Sequence, residues 1–171
     1  MSLLDSITCI CKDGTPYEVP LANPFAMLAK CANTMGDHDF SAFFLSRLKE
    51  KPPSPEQPWS LILYSDEVTP GNVLAVRNDR KFHGIYFSFI ELGVNALSRE
   101  ESWFVLVVEF SNTVNELSAG ISQVFSKCIR YFFQADGFNL ATAGMMLDFP
   151  GESVRFWAKL TNVLIVFQGW C

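Results

Sequence analysis

Residues Trp59 to Gly93, WSLILYSDEVTPGNVLAVRNDRKFHGIYFSFIELG, constrain this chain more than any other stretch. A short apolar run, Leu61-Ile62-Leu63-Tyr64, carries the acidic pair Asp66-Glu67 at its end. A Thr69-Pro70-Gly71-Asn72 turn and a basic bend, Arg77-Asn78-Asp79-Arg80-Lys81, lead to a second run, Phe82 to Leu92. The pattern predicts strands at about 60–66 and 82–91, with a shorter one at 73–77. Along the second run both alternating sets of side chains are largely apolar, which predicts a central strand covered on both faces. A carboxylate at the end of a buried strand costs free energy unless a metal or a cation pairs it. Successive side chains of a strand point to opposite faces, so Asp66 and Glu67 cannot be ligands on one face.

The rest of the chain supplies a large core for these strands. It has 171 residues, 49% hydrophobic and only 18% charged, with 16 Phe that must be buried or else drive association. That length fits one domain, or one domain with a small appendage. The net charge of −5 gives no global attraction to nucleic acid or to an anionic membrane. No apolar run reaches the roughly 18 residues of a membrane-spanning helix. The start, Met-Ser-Leu-Leu-Asp-Ser, lacks the features of a signal peptide, so an intracellular protein, nuclear or cytoplasmic, with reduced thiols is expected. The five cysteines, at 9, 11, 31, 128 and 171, form no Cys-x-x-Cys pair and make a poor zinc site.

In chain order, residues 1–22 show no clear periodicity beyond a turn at Asp13-Gly14-Thr15-Pro16 and read as a loosely structured arm. Asn23-Pro24 starts a helix with Phe25, Leu28, Ala29, Ala32 and Met35 at helical spacing. A second helix from about Asp39 sets Phe40, Phe43, Phe44, Arg47 and Leu48 on one side, so the two predict a helical hairpin. Its Phe-rich face either packs on its own domain, the reading preferred here, or docks a partner. Residues 51–58, with four prolines in seven positions, read as a linker. The predicted division is therefore an arm and helical hairpin over 1–50, the linker, and a main domain over 59–171.

After the linker, Trp103 to Phe110 reads as a strand. Thr113-Val114-Asn115-Glu116 reads as a capping box opening a long amphipathic helix. Its stripe is Val114, Leu117, Ile121, Val124, Phe125, Cys128, Ile129 and Phe132. A hairpin turning at Pro150-Gly151 follows, and Leu164 to Phe167 reads as a last strand, with 159–163 open between helix and strand.

Strand, strand, strand, helix and a further strand is the order in which an RNase H-like fold begins. There the helix is a crossover that returns the fourth strand parallel to the first and beside it. The predicted class is thus α+β, an incomplete RNase H-like mixed sheet with an N-terminal helical hairpin. The wording of Tyr64-Ser65-Asp66-Glu67, Thr69-Pro70-Gly71-Asn72, the basic bend and the aromatic strand resembles eukaryotic cut-and-paste DNA transposases. The likeness is to Plavaka and CACTA-related elements and spans roughly Trp59 to Leu164. It implies Asp66 as the first metal-binding acid of a DDE-type site, in which two Mg²⁺ or Mn²⁺ ions serve phosphoryl transfer. Intact relatives carry a second acid on the strand after the hairpin and a third farther on. Residues 162–171 hold no Asp or Glu. One carboxylate cannot hold two metals, so the resemblance implies a truncated, catalytically inactive relative that needs no metal cofactor of its own.

Arg77, Arg80, Lys81 and His83 cluster at one bend and are the candidate contacts to DNA phosphates, weak and salt-dependent in so acidic a chain. A solvated hairpin tip is the alternative for them. An α+β protein-interaction module with no nucleic-acid role is the alternative for the whole chain. A metal-dependent nuclease with a different acid set is a third reading. The last strand is expected to leave a sheet edge open to self-association.

Overall fold

The chain, described by a computed structural model over residues 2–34, 40–69, 81–134 and 139–165, is built from eight strands and five α-helices among those residues. Strands β1 (Leu4–Ile10) and β2 (Pro16–Ala22) precede helices α1 (Pro24–Asn33) and α2 (Phe40–Glu50). Strands β3 (Trp59–Val68), β4 (Phe82–Phe89) and β5 (Phe104–Phe110) follow. Between the last two lie 3-10 turns at Ile90–Leu92 and Glu100–Ser102 and the one-turn α3 (Val94–Leu97). Helices α4 (Ser111–Glu116) and α5 (Gly120–Phe133) lead to β6 (Met145–Phe149), β7 (Glu152–Phe156) and β8 (Ala158–Ile165).

The central sheet has the order β5-β4-β3-β8. β3, β4 and β5 form an antiparallel meander, and β8 returns parallel to β3 and beside it. Register places Leu61, Leu63, Ser65 and Glu67 in rows with Phe89, Phe87, Ile85 and His83. That face lies under the helices: Trp59, Leu61, Leu63, Ile85, Phe87 and Phe89 are all buried. Phe44 of α2 packs edge-on to Trp59 with centroids 5.7 Å apart, and Phe132 of α5 meets Phe87 at 5.3 Å. The opposite face is half covered. The segment after β4 closes over its lower part, where Ser88 Oγ donates to the Ser102 carbonyl at 2.7 Å. Val105, Val108, Phe110 and Leu164 remain exposed. The expected central position of β4 holds, while cover on both faces holds only in part.

The α1–α2 hairpin forms as the spacing predicts. Asn23 Oδ1 accepts from the Phe25 and Ala26 amides, and Pro24 occupies the first turn, where its missing N–H costs nothing. Phe44 and Leu48 are buried, and the face packs on its own sheet. The hairpin at Pro150-Gly151 also forms, with Gly151 at φ 87°. Residues 159–163, left open between helix and strand, belong to β8.

Several expectations are corrected. The loosely structured arm is a β-hairpin: β1 and β2 pair from Leu4↔Ala22 to Ile10↔Pro16. Ile7 and Cys9 on one strand and Val19 and Leu21 on the other are buried, and this short inward alternation was the available signal. The long capped helix is two helices. Thr113 lies inside α4, whose first residue follows Phe110 with no side-chain cap. The helix breaks because the backbone at 117–118 is claimed by the end of β1. Leu117 bridges Cys11, Ser118 N donates to the Ile10 carbonyl at 2.9 Å, and Lys12 N donates to the Glu116 carbonyl at 2.9 Å. The apolar stripe survives the break, with Val114, Leu117, Val124, Phe125, Cys128 and Phe132 all buried.

The Pro-rich segment is held against the body. Pro53 is buried, and Trp59 Nε1 donates to the Lys51 carbonyl at 2.8 Å. Side chains from both sides of it, Leu28 and Phe44 before and Trp59 and Phe156 after, share one buried cluster. The strand expected at 73–77 lies outside the described residues. No helix among the described residues is long and apolar enough to cross a membrane.

Candidate functional site

The end of β3 presents its two acids to opposite sides of the sheet, as strand alternation requires. Asp66 stands on the half-covered face, across from Gly84. The Tyr86 phenol folds back over Gly84: a Cβ there would lie 2.3 Å from Tyr86 Oη, so only glycine leaves room for this arrangement. Tyr64, two residues before Asp66, lies near Tyr86 and Trp103, with ring centroids 6.1 and 5.7 Å away. Burial, then the Asp66 charge and its hydrogen bonding, push the Tyr64 phenol above its ordinary value. Among the described residues Asp66 Oδ1 is itself buried with no hydrogen-bond partner.

Glu67 stands on the helix side in a row that crosses three strands, Glu67–His83–Glu109. Ser111 Oγ donates to Glu67 Oε1 at 2.8 Å, Lys81 Nζ reaches Glu67 Oε2 at 3.4 Å, and His83 Nε2 lies 3.8 Å from Oε1. Burial raises the Glu67 carboxyl, but the Ser111 hydroxyl and the charges of Lys81 and His83 outweigh it and hold the group below its ordinary value. Burial holds the His83 imidazole below its ordinary value, and the charges of Glu67 and Asp66 do not offset it. Glu109 is buried and accepts from Tyr17 Oη at 3.3 Å, which ties β2 to the sheet.

The candidate phosphate contacts divide on this geometry. Lys81 faces Glu67, which neutralises part of its charge, and His83 beside it is held towards the uncharged form by burial. Arg77 and Arg80 lie outside the described residues. The sequence offered no pointer to Glu109 or Ser111, since their roles depend on which strand ends come level. The sole warning was one acid closing the otherwise apolar run Phe104 to Phe110.

Chemically, the helix-side row neutralises and hydrogen-bonds its own members. Ser111 donates to the Glu67 carboxylate and not to the imidazole, and a carboxyl held below its ordinary value is a weak base for a serine hydroxyl. On the other face, the orphaned Asp66 oxygen is a place where a cation could bind. Among the described residues its neighbours there are Tyr64, Gly84 and Tyr86, with no second carboxylate. Among the described residues no group of three or more His, Cys, Asp or Glu side chains could hold a metal ion. A two-metal centre does not fit these residues. Cys31 and Cys128 offer no alternative: burial pushes the Cys31 thiol up to about 11 and the Cys128 thiol up to about 12. Thiolate character is what nucleophiles and metal ligands require.

Comparison with known proteins returns no match: no family model, no curated protein and no solved structure is significantly similar to the chain.

Proposed function

We propose that this chain is a transposase-derived, RNase H-like domain that no longer catalyses strand transfer. The observation that carries the reading is β8 lying parallel to β3 and beside it, with Asp66 at the end of β3. That is the placement from which carboxylates of two adjacent strands would converge on divalent metals. Loss of catalysis follows from β8 and what succeeds it, since residues 162–171 carry no acid to join Asp66. Mg²⁺ or Mn²⁺ chemistry then belongs to relatives with a complete acid set, and Asp66 is a vestige of it. What is retained is local, salt-dependent contact with DNA phosphates in an intracellular protein.

That contact rests on Arg77 and Arg80, because Lys81 is engaged by Glu67. Fluorescence anisotropy with a duplex oligonucleotide at low ionic strength should show binding that fades as salt is added. Arg77→Ala with Arg80→Ala should abolish it, and adding Lys81→Ala should change little more. No binding at low salt would contradict the reading. A second reading, an α+β module that binds a protein partner and not DNA, is favoured by the exposed Val105, Val108, Phe110 and Leu164 on the half-covered face. It predicts instead that Phe110→Ser weakens partner binding and that the arginine variants do not.

A further inference from the structure

β8 closes one side of the central sheet, with β3 its sole strand partner among the described residues. At its start Ala158 N donates to the Leu140 carbonyl at 3.3 Å. Beyond that point, among the described residues, the outward backbone groups of 159–165 bond to nothing. A row of unpaired N–H and C=O groups is a template for another strand. Charge on this edge is confined to Lys159 at its start, and Leu160 to Ile165 holds no charged residue and no proline. The register shift at Thr161 leaves its Oγ1 donating inward to the Leu61 carbonyl of β3 at 3.1 Å. Beside the edge, on the helix side, a groove of about 380 Å³ runs between α5 and β8. Phe125, Ile129 and Val163 form its apolar floor, the exposed Ser122 and Ser126 keep its outer rim low, and the exposed Arg130 stands on that rim as its one charge among the described residues.

We propose that a second copy of this chain docks on this edge, its β8 antiparallel to the first across a two-fold axis perpendicular to the sheet. The occupant is argued from β8 itself, because the strand beside the groove also carries the side chains that would fill it. Leu160 and Val163 stand on the helix side, paired with Leu61 and Leu63, and Val163 is 41% exposed. In the two-fold pair each Val163 enters the space under the partner's α5, and the two sheets become one. Uncharged residues 160–165 then face their own equivalents, so no like charges oppose each other at the seam. Such an isologous contact closes on itself and stops at the dimer. The seam is short, at the low end of specific interfaces, so dissociation in the micromolar range is expected, on the order of 1–100 µM. The proposal does not depend on transposase ancestry or on DNA binding.

Sedimentation equilibrium of the full chain tests it. The expected result is a reversible monomer–dimer equilibrium. Val163→Lys should shift it to monomer by at least about tenfold, because it sets a like charge beside Arg130 at the groove. Ser126→Arg on α5, which blocks the groove without altering the strand, should act in the same direction, and circular dichroism of each variant reports that the monomer is folded. Val108→Ser with Phe110→Ser, on the other face, should leave the dimer intact. A chain that stays monomeric, or a dimer lost in the Val108/Phe110 variant and kept in Val163→Lys and Ser126→Arg, would overturn the proposal.

Discussion

His83 and Glu67 titrate within one contact, and both signs run the same way. The folded state holds His83 below 6.5, so unfolded chains take up its proton first and stability is lost as pH falls below that value. It holds Glu67 below 4.5, so a further loss begins as pH falls below there. Urea unfolding midpoints measured from pH 7.5 to 4 should therefore decline in two stages. His83→Gln should flatten the upper stage and keep the lower one, and superimposable profiles for the two proteins would contradict this. At this scale the sequence was readable for what alternation dictates, namely that Asp66 and Glu67 face opposite ways. It could not show that His83 and Glu109 stand level with Glu67, because the pairing register of three strands sets that row.

The joint between β1 and the α4–α5 break is made by Gln123 as much as by the backbone. Gln123 Oε1 accepts from Ile10 N, and Nε2 donates to the Ile10 carbonyl at 3.2 Å and to Ser118 Oγ at 2.6 Å. Gln123→Ala should cost about 1 kcal/mol, since Ile10 N loses its acceptor while the Ile10 carbonyl keeps Ser118 N. A thermal melt should show this as a drop of several degrees, and an unchanged midpoint would mean that the joint is not structural. The same joint explains what the sequence concealed. The apolar period runs through Leu117 without interruption, so a continuous helix was the natural reading. The break is imposed from outside by Ile10 and Lys12, more than a hundred residues earlier in the chain. β1 and β2 were hidden for a different reason: each buries only two side chains in alternation, and Pro16 and Pro20 weaken the strand signal. β3, β4, β5 and the Phe-rich hairpin were readable because their apolar runs are long enough to set their own period.

For the molecule as a whole, Phe44 ties the parts together. Its ring meets Trp59, Phe89, Phe149 and Phe156, drawn from β3, β4, β6 and β7, with centroids 5.7–6.5 Å apart. Phe44→Ala should cost about 3–5 kcal/mol, the usual range for emptying such a site. By the same logic a fragment beginning at Trp59 loses Val19, Leu28, Phe44 and Leu48 from the shared cluster and should show no cooperative melt. A sharp transition in that fragment would mean that the Pro-rich segment separates independent units. The whole-chain topology was readable in outline, the fourth strand returning beside the first, because strand and helix patterns alternate in an order that few connections can satisfy. The candidate site was readable only as a single acid. The groups around it are placed by tertiary pairing, and among the described residues none of them is a second metal ligand beside Asp66.

A cleavage assay tests the account most directly. Supercoiled plasmid would be incubated with the chain in Mg²⁺ and, separately, Mn²⁺, alongside Asp66→Asn, and strand breaks followed on a gel. The prediction is no cleavage above the Asp66→Asn background in either metal. Metal-dependent cleavage by the unmutated chain that is lost in Asp66→Asn would contradict it, and would require an acid set that the sheet, as described, does not bring to Asp66.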